Sequence, residues 1–217
     1  LHFNVYHANP DKAAAIDTIL SSDADIVMLS ELSWAWRDKI SAVDTAYPWV
    51  WRCTIEGSWG GVVIYSRFPF DKSTAFCHDY AASGLIDASI DGRRITLGAV
   101  HLRWPWPASG PRQVRELEPH LRAIGPDALV AGDFNAATWS HTVRQFASHG
   151  GLETRKGVGP TWLHKRFPRV LVPYIGLPID NVMSKGRVRI LTARTLPASG
   201  SDHLPILVEF ELGSGRR

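Results

Sequence analysis

A chain of 217 residues, 45% hydrophobic and 21% charged, is long enough for one domain with a sizeable core. Its formal charge of +3 and pI near 9.0 fit a phosphate-bearing partner without the strongly basic balance of a dedicated nucleic-acid binder. No apolar run reaches the roughly 18 residues of a membrane span, and no basic-then-apolar start marks a signal peptide. The chain opens on Leu1 rather than Met, as a segment of a longer protein would.

In chain order, "LHFNV" reads as a short strand. "NPDKAAAIDTILSS" reads as a helix capped by Asn9, with Pro10 in its first turn and Ala13, Ile16 and Leu20 on its apolar face. "ADIVMLSE" is a buried strand ending at Glu31. Strands follow at 60–66, 85–90 and 94–102, the last two joined by a hairpin turn at "DGRR". A helix over 111–123 presents Val114, Leu117 and Leu121. "DALVAGDF" is a strand, and "TWSHTVRQFASHG" is a helix stopped near Gly150–Gly151. Late strands fall in "PIDNVMS", "RVRILTA" and "LPILVEFEL", and "GSGRR" is a loose tail after residue 212. No linker divides the chain, and the mixture of hairpins with strand–helix units predicts one α/β or α+β domain over residues 1–212.

Polar groups recur where apolar strands run out, which is where sites collect in folds of this class. They are Asn4, Glu31, His101, Asp133 with Asn135, Asp180, and Asp202 with His203. Each has a bland alternative: Asn4 a turn former, Glu31 a solvated strand end, His101 a core histidine, and Asp133 and Asn135 an Asx-turn. Asp180 can pair with an arginine, and Asp202 can cap a turn. Six bland readings are hard to sustain together. As a set, Asn4, Glu31 and Asp202 offer hard oxygen ligands suited to Mg²⁺ or Mn²⁺, while two histidines with carboxylates nearby suit proton transfer. If 133–135 runs extended, Asp133 and Asn135 point the same way while Phe134 packs behind them. Cys53 and Cys77 lack zinc spacing, and their low number favours two buried thiols over a bridge.

The ordered set "FNV", "LSE", "AVHL", "GDFN", "PIDNV" and "SDHLPI" resembles the endonuclease/exonuclease/phosphatase superfamily, which includes DNase I-like nucleases, abasic-site endonucleases, sphingomyelinases and inositol phosphatases. The resemblance spans about residues 2–210. It implies a DNase I-like four-layer sandwich, two packed mixed β-sheets flanked by helices, and metal-dependent hydrolysis of a phosphate ester. By that resemblance Glu31 is the principal metal ligand, Asn4 lies beside the metal and Asp202 helps hold it or a second one. Asp133 orients or deprotonates the attacking water, Asn135 steadies it, and His203 contacts the phosphate with Asp180 as its partner. His101 is a second phosphate-contacting or proton-donating histidine. Ser30, Tyr6 and Asn181 depart from the residues common at their positions. "NV…NPD" and "HLRWPWP" resemble a bacterial subgroup that places this domain outside the cytoplasm behind membrane helices. That resemblance implies a membrane tether in the longer protein and gives a Cys53–Cys77 bridge more weight.

Beyond His101, Trp104 and Trp106 are each followed by Pro, so they either pack the loop down or form a stacking or apolar wall, with Arg103 and Arg112 adding phosphate contacts. Lys165, Arg166 and Arg169 form a basic cluster, either a solvated face or a surface for an anionic substrate or membrane. His7, His78, His120, His141, His149 and His164 show no ligand spacing and are read as structural. The leading expectation is a monomeric phosphatase or phosphodiesterase acting on a lipid-linked or small phosphate. A DNA or RNA nuclease stands second, and a non-catalytic binding module third, since it would be expected to have lost Glu31, Asp133, Asn135 or His203.

Overall fold

Residues His2–Asn4 form strand β1, which lies parallel to β2 (Ile26–Leu32), with Asn4 opposite Ser30. The computed structural model describes residues 1–53, 60–78 and 83–213. The remaining strands are β3 (Trp49–Cys53), β4 (Gly61–Ser66), β5 (Phe70–Cys77), β6 (Ser83–Ile90), β7 (Arg93–His101), β8 (Ala128–Asp133), β9 (Glu153–Thr154), β10 (Asp180–Lys185), β11 (Val188–Thr195) and β12 (Ile206–Leu212). They make two six-stranded mixed sheets, ordered β11-β12-β1-β2-β4-β3 and β5-β6-β7-β8-β10-β9. Among the described residues the α-helices are α1 (Lys12–Ser21), α2 (Ser41–Ala46), α3 (Ser109–Arg122), α4 (His141–Gly150) and α5 (Val172–Ile175), with short 3-10 turns at Trp34–Trp36 and Arg169–Leu171. None among the described residues is long and apolar enough to cross a membrane.

Three apolar layers follow from the alternation of strand side chains. Met28, Ile64, Ile86, Leu97, Leu129 and Val182 meet between the sheets. Val114, Leu117 and Leu121 of α3 and Phe146 of α4 cover the second sheet, while Ile19 and Val43 lie with Phe3, Leu29 and Tyr65 over the first. The result is the expected helix–sheet–sheet–helix sandwich.

Several local expectations shift. Helix α1 is capped by Asp11, whose carboxylate accepts from Ala14 N at 3.0 Å. Asn9, the expected cap, is buried and holds Asp11 N and the Val5 carbonyl instead. The buried face of α1 is Ala15 and Ile19, with Ile16 packed partly buried beside them and Leu20 exposed, because docking onto the first sheet sets which stripe faces inward. Cys53 and Cys77 are disulfide-bonded, contrary to the thiol reading from their number. The bridge ties β3, at the edge of one sheet, to β5, at the edge of the other. The hairpin at Asp91–Gly92 forms as expected, both residues having positive φ. Helix α4 ends on Gly151 in the left-handed conformation. Of the expected loose tail, residues 214–217 lie outside the described residues.

Candidate active site

The same alternation that builds the inter-sheet core builds the site. His2 and Asn4 share one face of β1, and Thr96–His101 of β7 run parallel to Ala128–Asp133 of β8, so His101 lies opposite Asp133. Leu129 and Ala131 face the other sheet, and two residues on from Ala131 the next side chain in that row is Asp133. Strand β10 runs antiparallel to β8 with Asp180 opposite Asp133. Asn4, His101, Asp133 and Asp180 therefore continue the sandwich interior at one end of the strands, where polar side chains replace the apolar ones. Gly132 is required here, since a Cβ would lie 2.1 Å from the Val100 carbonyl oxygen.

Glu31 breaks the alternation. Met28 faces inward, and Ser30 does too, donating from its hydroxyl to the Val100 carbonyl across the sheets at 3.2 Å. In a regular strand Glu31 would then point to the helix layer. Its φ of 61° and a register irregularity between Leu29 and Leu32 redirect it, and a strained non-glycine residue of this kind is typical of functional sites. Gly60 accommodates the distortion, because a Cβ there would meet the Glu31 backbone at 2.6 Å.

The side chains converge closely. Asn4 Nδ2 donates to Glu31 Oε1 at 3.1 Å and to Asp133 Oδ2 at 3.0 Å, while its Oδ1 accepts from Tyr6 N. His101 Nε2 lies 3.7 Å from Glu31 Oε1 and 3.8 Å from Asp133 Oδ2. His203 Nδ1 is hydrogen-bonded to Asp180 Oδ2 at 2.8 Å, and its Nε2 lies 3.6 Å from Asp133 Oδ2. Nε2 also sits 3.4 Å from Asn4 Nδ2, but both amide hydrogens are committed to carboxylates, which leaves Nε2–H facing Asp133. Ser201 fixes the approach of His203, its hydroxyl accepting from His203 N and donating to the Asn4 carbonyl.

Asp133 and Asn135 form the Asx-turn that was their bland alternative: Asp133 Oδ1 accepts from Asn135 N at 2.7 Å, and Asn135 has a φ of 48°. The expectation of an extended 133–135 is thus corrected. The Asn135 amide turns to the Leu102 carbonyl at 2.7 Å and fixes the loop after His101, while Phe134 is fully buried against Phe146 as expected. Asn181 holds the far side of this turn, donating to the Ala136 carbonyl and accepting from the Thr138 hydroxyl.

Three residues enter that the sequence reading did not place. His7 donates from both its backbone N and Nδ1 to Glu31 Oε2, at 3.0 and 2.7 Å, and so is not merely structural. The left-handed Tyr6, φ 59°, folds the chain back to deliver it. His2 is buried behind the site, with Nε2 2.9 Å from Asp180 Oδ1 and Nδ1 on the Met28 carbonyl. It forms a line His2–Asp180–His203–Asp133. The i, i+2 spacing of His2 and Asn4 was the available signal. Trp162 packs 6.3 Å from His203 and donates to Asp202 Oδ2 at 3.1 Å. Asp202 is thereby turned to the indole and stands outside the clusters able to hold a cation, which among the described residues are Glu31–His101–Asp133 and Asp133–Asp180–His203. Trp104 stands 6.3 Å from Trp162, Trp106 is exposed, and the backbone N of Arg103 donates to Gln113 Oε1.

The electrostatics divide the carboxylates. Burial opposes the Glu31 charge, but His101 and the hydrogen bonds from His7 and Asn4 outweigh it and hold its pKa down to about 2. Burial likewise opposes ionisation of Asp180, yet His203 and His2 keep it below the usual carboxylate range. Burial pushes Asp133 up, against the pull of His203. Burial would lower His203, but Asp180 and Asp133 overcome it and raise its pKa to about 10. Glu31 Oε1 and Asp133 Oδ2 share the Asn4 amide and His101 as neighbours. Two carboxylates and an imidazole are a donor set that fits a hard divalent cation.

A family model for the endonuclease/exonuclease/phosphatase family matches residues 1–203. No curated protein matches the sequence. Among solved structures, TDP2 from D. rerio complexed with single-strand DNA product superposes with a TM-score of 0.75 at 17% identity, covering 97% of each chain. A mannosyl-6-phosphatase from Bacteroides thetaiotaomicron superposes with 0.71 at 14% identity, covering 97% of this chain and 98% of that one. Beta toxin from Staphylococcus aureus with bound magnesium ions gives 0.67 at 14% identity, covering 94% and 96%. The fold, the order of the motifs and the extent of the match agree: the chain belongs to the endonuclease/exonuclease/phosphatase family, whose members hydrolyse phosphate esters.

Proposed function

We propose that this domain hydrolyses a lipid-linked or small phosphate ester by metal-assisted attack of water. The observation that carries the reading is the convergence of Glu31, His101, Asp133 and the Asp180–His203 pair within hydrogen-bonding and ion-pair distance at one open strand end. Glu31, with His101 beside it, would hold Mg²⁺ or Mn²⁺, which would supply positive charge to the phosphate and its leaving oxygen. Asp133, whose proton affinity is raised by burial, takes the proton of the attacking water. His203, kept protonated by Asp180, presents Nε2–H to a non-bridging oxygen. Asn4 locks Glu31 and Asp133 in register, and Asn135 steadies the loop that carries His101.

The choice of substrate rests on Trp104, Trp106 and Trp162 beside the site, which offer an apolar wall. The Cys53–Cys77 bridge supports an oxidising, extracytoplasmic setting. A nuclease is the second reading, favoured by the likeness to a TDP2 that holds single-strand DNA product, since tryptophans also stack bases. The deciding assay compares phospholipids, isoprenoid pyrophosphates, sugar phosphates and single-stranded DNA, with and without Mg²⁺ or Mn²⁺, alongside bis-p-nitrophenyl phosphate. Metal-dependent release from an amphiphilic or small phosphate is expected. Turnover confined to DNA would replace the first reading with the second.

A further inference from the structure

The loops that leave the site end of the strands are unusually apolar and almost free of acid. Trp34 follows Glu31, Trp106 follows His101 and Trp139 follows Asn135, with 81%, 78% and 69% of their surfaces exposed. In the segment between β9 and β10, Phe167, Val170 and Tyr174 are exposed as well, Tyr174 at 80%. Exposed bulk of this kind, gathered at one end of a fold, marks an interaction surface. Between Asp133 and Asp180 the single acidic residue is Glu153, while Arg144, Arg155, Lys156, Lys165, Arg166 and Arg169 are all basic.

The opposite end of the sandwich has the reverse character. There arginines are neutralised by acids: Arg67 with Asp23 and Asp25, Arg187 with Asp127, and Arg189 with Glu211. Among the described residues Lys165 instead bonds the Tyr6 hydroxyl, Arg169 bonds carbonyls, and Arg166 makes no ion pair.

We infer that the site end of the domain docks onto an anionic lipid bilayer, so that the mouth opens at the headgroup level. The inference rests on the lipid-linked reading above and names the surface that would present such a substrate. Tryptophan and tyrosine favour the membrane interface, and basic groups among them add attraction to anionic lipids. Single-stranded nucleic acid fits less well. Val170, Ile175 and Leu177 are exposed beside Tyr174, and aliphatic side chains offer no ring on which a base can stack. The opposite end, where acids offset the arginines, would face away, which gives docking one orientation.

The test is co-sedimentation of the protein with phosphatidylcholine vesicles and with phosphatidylcholine–phosphatidylglycerol vesicles. Wild type is expected to sediment with the anionic vesicles, less with the neutral ones, and less at high salt. The variant Val170→Ser/Tyr174→Ser/Ile175→Ser should weaken partitioning about tenfold while hydrolysis of soluble bis-p-nitrophenyl phosphate is retained. Arg166→Glu, a single exposed change, should weaken binding to anionic vesicles only, and it decides the matter if the triple variant fails to fold. Absence of vesicle binding, or equal binding by wild type and the Arg166 variant, overturns the inference. So does a loss of single-stranded oligonucleotide binding in these variants with vesicle binding unchanged. Vesicle binding is read without turnover, so it succeeds or fails separately from the catalytic reading.

Discussion

Three carboxylates, Glu31, Asp133 and Asp180, meet four imidazoles and the Asn4 amide in this site, and their neighbours assign them different work. Glu31 is held ionised by three partners, His101, His7 and Asn4, whereas buried Asp133 is pushed towards accepting a proton. Glu31→Gln should therefore abolish most divalent-metal affinity, which titration calorimetry with Mg²⁺ or Mn²⁺ measures directly. Asp133→Asn should keep metal binding and lower turnover by about 10³-fold, the usual scale of a lost proton acceptor. Unchanged turnover would remove Asp133 from that role. His2 acts one step behind, as the second partner of Asp180. His2→Phe leaves a buried carboxylate oxygen unpaired, a cost of about 1–3 kcal/mol, and frees Asp180 to rotate away from His203. A fall in kcat with little change in KM, partly restored by His2→Gln, is the expected kinetic result. A loss of stability with kcat intact would make His2 structural only.

At the scale of elements, strand register does the positioning, and its anchors lie far from the chemistry. The start of β8 is held at Asp127, whose buried carboxylate accepts from Arg187 N at 2.7 Å and Nε at 2.9 Å, in the turn between β10 and β11. This clip sets β8 against β10, and so Asp133 against Asp180. Hydrogen bonds from Arg187 lower the Asp127 pKa in the fold. A depressed folded value means that the stabilisation is complete above the unfolded pKa, near ~4, and is lost as pH falls through the lower folded value. Asp127→Asn should cost about 2 kcal/mol at neutral pH. In urea titrations the gap between variant and wild type should close as pH drops below ~4, and a gap independent of pH would show that packing, not charge, is lost.

For the whole molecule, two sheets pressed face to face are stapled at one margin by Cys53–Cys77, 24 residues apart. Closing a loop of that length restricts the unfolded chain by about 3 kcal/mol. Reduction should lower the thermal midpoint by roughly 10 °C for a domain of this size, and calorimetry with and without a reductant reads it. A midpoint insensitive to reductant would mean that inter-sheet packing carries this margin alone. The same scale shows why the molecule is polar end to end: loops from many parts of the chain gather at the site end, each apolar and acid-poor, though no single loop announces it.

The sequence by itself determined the class of fold and which polar side chains the strand termini carry. Period-two strands that end in Asn4, His101 and Asp133 and one that starts at Asp180 already put these side chains on the inner face, and the caps and turns at Gly151 and Asp91–Gly92 follow from local chemistry. What only the tertiary structure decided was where the chain departs from its own period and which distant groups meet. Glu31 reaches the site through a left-handed residue and a register slip, Asn135 turns away from extended geometry, and His7 arrives because Tyr6 folds the chain back. The Asp202–Trp162 contact, the His2–Asp180 bond and the bridge between the two sheet edges join residues 40, 178 and 24 positions apart. Local propensity carries no information about such pairs, because they are set by packing two sheets together and not by either strand alone.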